Sequence, residues 1–153
     1  MAPETGEPTL RLKAEDEEDL SVISACLQDA LVFVGDLAYL PQERSFMMVA
    51  NRFRWEGGAG ASHFGHERTL SAVHFGEVEA VSYRGFRKGD NERILSLLAV
   101  RSEAGSPHPA ILLEFSASAV VRLEVSRIEC RVKDLGDPWP TPWRPDHAIG
   151  EGA

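Results

Sequence analysis

Leu20, Ile23, Leu27 and Leu31 recur three and four residues apart, a spacing that gathers them on one stripe and predicts a helix over residues 16–31. Asp16 is placed to cap its first turn, and Glu17, Glu18 and Asp19 sit where the positive end of the helix dipole favours carboxylates. Ser24, Gln28 and Asp29 fall off the stripe and are expected to face water. Elsewhere the period is two. Ile111, Leu113 and Phe115 alternate, as do Val121, Leu123 and Val125, the mark of half-buried strands. Residues 94–101 are apolar on both faces, which suits a central strand.

Residues 32–34 and 37–40 flank Gly35-Asp36, and glycine at the first position of a two-residue loop predicts a hairpin there. Phe46 to Phe53 reads as a further strand, and residues 70–83 as one long bent strand with Gly76 as its bulge. Residues 128–135 fit either a strand or one face of a helix; the strand is preferred, with a bulge near Ser126 absorbing the change of phase. The connections are short, as hairpins require. The expected fold class is α+β: a curled antiparallel sheet or partly closed barrel of six to eight strands, pleckstrin-homology-like or split-barrel in form, with one main N-terminal helix. The chain divides into an arm at 1–9, one domain at 10–136, and an extended tail at 137–153 whose prolines exclude helix and inner strand.

Charge narrows the field. The formal net charge is −8, and residues 1–30 hold eight acids against two bases. That balance argues against a nucleic-acid partner, which needs clustered cations. Two cysteines build neither a disulfide framework nor a four-ligand zinc site, and no apolar run is long enough to span a bilayer. No secretory leader is recognised, so a cytoplasmic location is expected.

Candidate chemistry is thin. His63, His66 and His74 with Glu67 are the residue types of a zinc site, but His63 and His66 follow a glycine-rich stretch that preorganises nothing, so no metal is assigned. The same stretch fails the dinucleotide fingerprint, and no cofactor is expected. Successive helix positions turn Asp16 to Asp19 away from one another, so they serve the dipole. Cys26 and Cys130 read as buried structural thiols, and no catalytic residue is assigned. Two features stand out. Asn51, Arg52, Arg54 and Trp55 end a strand in the one segment of positive balance, which Arg68, Arg84, Arg87 and Lys88 share; Asn51, Arg52, Arg54, Trp55 and Arg84 are candidates for an anion or ligand clamp. The plainer reading of those arginines is ordinary surface pairing. Trp139, Trp143 and Arg144 lie in the proline-stiffened tail, where they staple it to the domain or anchor a partner.

Asp16–Ala25 with Leu27–Ala30, Gly35–Pro41, Asn51-Arg52-Phe53 with Trp55, Leu95–Val100, and Arg122–Val125 running into Ile128-Glu129 and Asp134-Leu135-Gly136 touch most of residues 10–145. In these stretches the chain resembles a bacterial, proteobacterial family carried as a domain of unknown function. The resemblance implies a glycine-rich turn where this chain has Ser116-Ala117-Ser118-Ala119, and it brings no activity, cofactor or site residues. The expected function is a small, non-catalytic cytoplasmic interaction or accessory module, its partner another protein or a second copy. The alternative is a binding domain or enzyme for a small phosphorylated or carboxylated metabolite held by the arginine and tryptophan strand-end cluster.

Overall fold

In the computed structural model, residues 10–54 and 66–141 are described, with side chains through residue 54 and over 68–135. The elements run β1 (Arg11–Ala14), α1 (Glu17–Leu27), β2 (Leu31–Phe33), β3 (Ala38–Leu40), β4 (Ser45–Phe53), β5 (His66–Phe75), β6 (Val78–Arg84), β7 (Ile94–Glu103), β8 (Ala110–Phe115), β9 (Val120–Val125) and β10 (Cys130–Thr141). The strands form one antiparallel sheet in the order β1-β10-β5-β4-β2-β7-β8-β9-β6, with β3 added beside β4. Ten strands replace the six to eight expected, because the four-residue β1 shows no period of its own and the strand read over residues 70–83 is two, β5 and β6. The path ends at β1 and β6 and does not close.

Asp16 caps the helix as its sequence implies, its side chain accepting from the Asp19 amide at 2.8 Å. Leu20, Ile23 and Leu27 are buried in one core with Met48, Ala50, Val73 and Val100. Truncating any of those three leucine or isoleucine side chains to alanine is expected to cost roughly 2–5 kcal/mol. The helix stops at Leu27, four residues short of the predicted end. Asp29 takes a left-handed φ of 67°, and its amide donates to the Leu97 carbonyl at 2.7 Å, which turns the chain into β2 and places Leu31 in the sheet. Ser24 does not face water: its hydroxyl accepts from the Val100 amide at 2.9 Å.

The hairpin expected at Gly35-Asp36 does not form. β2 pairs with β4 and β7, β3 pairs with β4 alone, and a 3-10 turn over Val34–Asp36 separates them. The glycine serves close packing, since a Cβ there would stand 3.0 Å from that of Asn91. The long bent strand is two strands. β5 pairs with β4 and β10, β6 pairs with β9, and the break falls at Glu77 in a left-handed conformation. β9 ends at Val125, where the Ser126 amide turns to the Glu77 carbonyl, and residues 130–135 are strand. β7 is central, between β2 and β8, and a register shift between Leu97 and Ala99 explains its two apolar faces. The extra residue brings Leu95, Leu97 and Val100 all into the core while Leu98 stays exposed. The β8–β9 turn puts Ala117 and Ser118 at φ of 59° and 61°, a conformation glycine adopts without steric cost.

Candidate functional site

Along β4, Phe46, Met48, Ala50 and Arg52 fall on the core face by alternation. Opposite them stand Phe75, Val73, Ser71 and Thr69 of β5, and β10 continues the rows with Cys130, Val132 and Asp134. The inner face therefore changes from apolar to polar toward the end of β4. Arg52 is fully buried there; its Nε donates to Asp134 Oδ1 at 3.0 Å and its Nη2 to Oδ2 at 2.9 Å, a two-pronged pair. Ser71 donates to the same Oδ1 at 2.6 Å, and the Leu10 amide donates to Oδ2 at 3.2 Å. One carboxylate thus ties β4, β5, β10 and the segment entering β1. Burial alone would raise the Asp134 pKa, but the hydrogen bonds from Arg52 and Ser71, the arginine's charge and the Leu10 amide prevail and hold it below the usual carboxylate value. Arg54, just past the strand, is also buried.

Asn51, Phe53 and Arg68 occupy the other face of the same strand ends. Arg68, opposite Phe53 in register, is fully buried. Its Nε donates to Asn51 Oδ1 at 2.5 Å and its Nη2 to the Asn51 carbonyl at 2.6 Å, and its guanidinium carbon lies 6.0 Å from the Phe53 ring centre. Nη1 has no hydrogen-bond partner among the described residues. Burial lowers the Arg68 pKa to about 10, against an opposing pull from the Asp29 charge.

Strand alternation therefore separates Asn51 from Arg52, while Arg54 lies beyond the strand. Arg84 is set apart again. It ends β6, the last strand of the sheet path, exposed beside a groove of about 470 Å³ that Arg101 and Arg122 also line. Arg101 pairs with Glu114 at 2.8 Å and Arg122 with Glu124 at 3.3 Å. Trp55, Trp143 and Arg144 lie outside the described residues. The backbone of Trp139 lies in β10 opposite Arg68; its side chain is likewise outside them. Cys130 is buried in the core, and burial pushes its thiol pKa far up, which suits a structural thiol. His74 Nε2 lies 3.0 Å from the Ser45 hydroxyl; His63 and the side chains of His66 and Glu67 are outside the described residues. Among the described residues no group of His, Cys, Asp and Glu is gathered for a metal.

One feature escaped the reading of the sequence. Arg11 faces Lys133, and Lys13 faces Arg131, as directly opposed partners on the exposed face of the β1–β10 ladder. They border a groove of about 380 Å³. Lys13 reaches Glu15 at 3.1 Å and Arg131 reaches Glu129 at 3.5 Å, whereas Arg11 and Lys133 form no ion pair among the described residues. Leu135 and Leu70, paired in register and exposed, extend the same face. The alternation Arg11-x-Lys13 and Arg131-x-Lys133 was the available signal, but nothing local says that the two segments meet.

A family model described as "Protein of unknown function (DUF2948)" matches residues 10–147. The chain belongs to the DUF2948 family. The matched stretch takes in every described element of this DUF2948 domain, from β1 to β10. Neither the curated proteins nor the solved structures include a match to it.

Proposed function

We propose that this protein is a non-catalytic cytoplasmic interaction module that docks an acidic segment of a partner protein on the β1–β10 face. The observation that carries this reading is the two like-charged pairs, Arg11 with Lys133 and Lys13 with Arg131, in a chain of net charge −8. Like charges directly opposed across two strands cost stability, roughly 0.2–1 kcal/mol per pair. An anionic occupant would relieve that cost, and the exposed Leu70 and Leu135 supply apolar area beside the charges. The local sign is opposite to that of the whole molecule, so the field steers acidic partners to one face.

The test is fluorescence anisotropy of a labelled Asp/Glu-rich peptide titrated with the full chain. The expected result is saturable binding that weakens as salt rises and is lost in the double variant R11E/K133E. Undiminished binding by that variant, or tighter binding of a phosphate duplex than of the peptide, would overturn the reading. Light scattering on the same samples separates docking of a partner from association of the chain with itself.

A further inference from the structure

We propose that Arg68 forms an internal oxyanion site at the outer end of β5, in which Asn51 and Phe53 fix the guanidinium and Nη1 receives a carboxylate or phosphate oxygen. This site shares no residue with the β1–β10 docking face and stands independently of it.

A guanidinium carries five N–H donors and no acceptor. In Arg68, Nε and Nη2 are engaged by the side chain and main chain of Asn51, which leaves both hydrogens of Nη1 without an acceptor among the described residues in a fully buried side chain. Buried polar groups are nearly always partnered, and an ionised group taken out of water without a counter-charge is among the costliest arrangements a fold contains. The compensation among the described residues is incomplete. The Phe53 ring centre, 6.0 Å away, contributes a cation–π attraction, and Asp29 acts only through its field. Asn51 supplies neutral oxygens alone.

Arg52 shows what completion looks like in this same sheet: a carboxylate accepting from two guanidinium nitrogens. Arg68 has half of that arrangement. The missing half is an acceptor with negative charge. A water molecule would satisfy a hydrogen bond and leave the charge uncompensated, and a metal ion is repelled by an all-donor cationic group. The ligand class is therefore a small oxyanion, or an oxyanion group on a larger metabolite. The two hydrogens of Nη1 diverge, so each offers a single hydrogen bond to a carboxylate or phosphate oxygen.

The experiment is thermal unfolding and calorimetric titration of the full chain with sodium phosphate and, separately, sodium succinate, each against sodium chloride at equal ionic strength. A saturable rise in Tm specific to either anion is expected, and the anion that produces it identifies the ligand chemistry. No rise beyond that of chloride would overturn the proposal. Arg68→Gln keeps a polar group for Asn51 and removes the charge, so the anion effect should vanish; its persistence would also overturn the proposal. Should that variant fail to fold, Arg68→Lys decides: a Kd weakened about tenfold or more supports the site, because lysine lacks the planar fork, and an unchanged Kd refutes it. In R11E/K133E the anion effect should survive. Its loss there would assign the effect to the docking face and end the Arg68 proposal, leaving the docking reading intact.

Discussion

Two arginines, Arg52 on the inner face of the sheet and Arg68 on the outer, are both fully buried near the joined ends of β4 and β5, yet their surroundings differ in kind. Arg52 meets a carboxylate and a serine hydroxyl delivered in register from β10 and β5. Arg68 meets one asparagine and a phenylalanine ring. The inner site is finished by the fold itself and reads as architecture: a charge pair that fixes which strands lie together. The outer site holds the same residue type with no acid hydrogen-bonded to it among the described residues, only the more distant charge of Asp29, and that difference separates a structural ion pair from a group awaiting a ligand.

The contrast breaks most sharply at Asp134. Asp134→Ala takes the carboxylate from a buried guanidinium and removes the acceptor shared by Ser71 and the Leu10 amide, so a loss of about 3–5 kcal/mol is expected in denaturant unfolding. Arg68→Met should cost well under half of that, because it removes a cation that has no buried acid to abandon among the described residues and leaves Asn51 without its donor, a penalty of roughly 1–2 kcal/mol. Equal losses at the two sites would erase the distinction. The smallest effect is the acid limb of the stability profile. The folded-state pKa of Asp134 lies below the unfolded value of about 3.9, so its contribution is complete above that pH and drains away as pH falls through the depressed folded pKa. Asp134→Asn should flatten that limb in urea melts taken at a series of acidic pH values, whereas Arg68→Met should leave its slope unchanged.

The helix stripe and the period-two strands from residue 94 onward could be read from the chain because each rests on local spacing. Gly35-Asp36 misled for a physical reason: a glycine before aspartate suits a tight turn, but it also suits a backbone pressed against Asn91, and only the long-range pairing of β2 with β7 decides. The candidate clamp drew on charge and nearness in sequence. Alternation alone should have placed Asn51 and Arg52 on opposite faces, which is where they lie. What no local rule supplies is the partner. Asp134 is 82 residues from Arg52, and Arg68 was grouped with surface cations because nothing in its neighbours announces burial. The docking face was hidden for the same reason, its two halves sitting at opposite ends of the domain.

The far reach of β10 carries one more consequence. β1 accompanies it only as far as Lys133, with a last main-chain bond from the Asp134 amide to Leu10, so beyond that point its outer side has no neighbouring strand among the described residues. Pro138 and Pro140 fall in this unaccompanied stretch, while the other side pairs with β5 through Thr141. An imide nitrogen has nothing to offer an incoming chain, so the prolines act as a stop against runaway stacking of one molecule on the next.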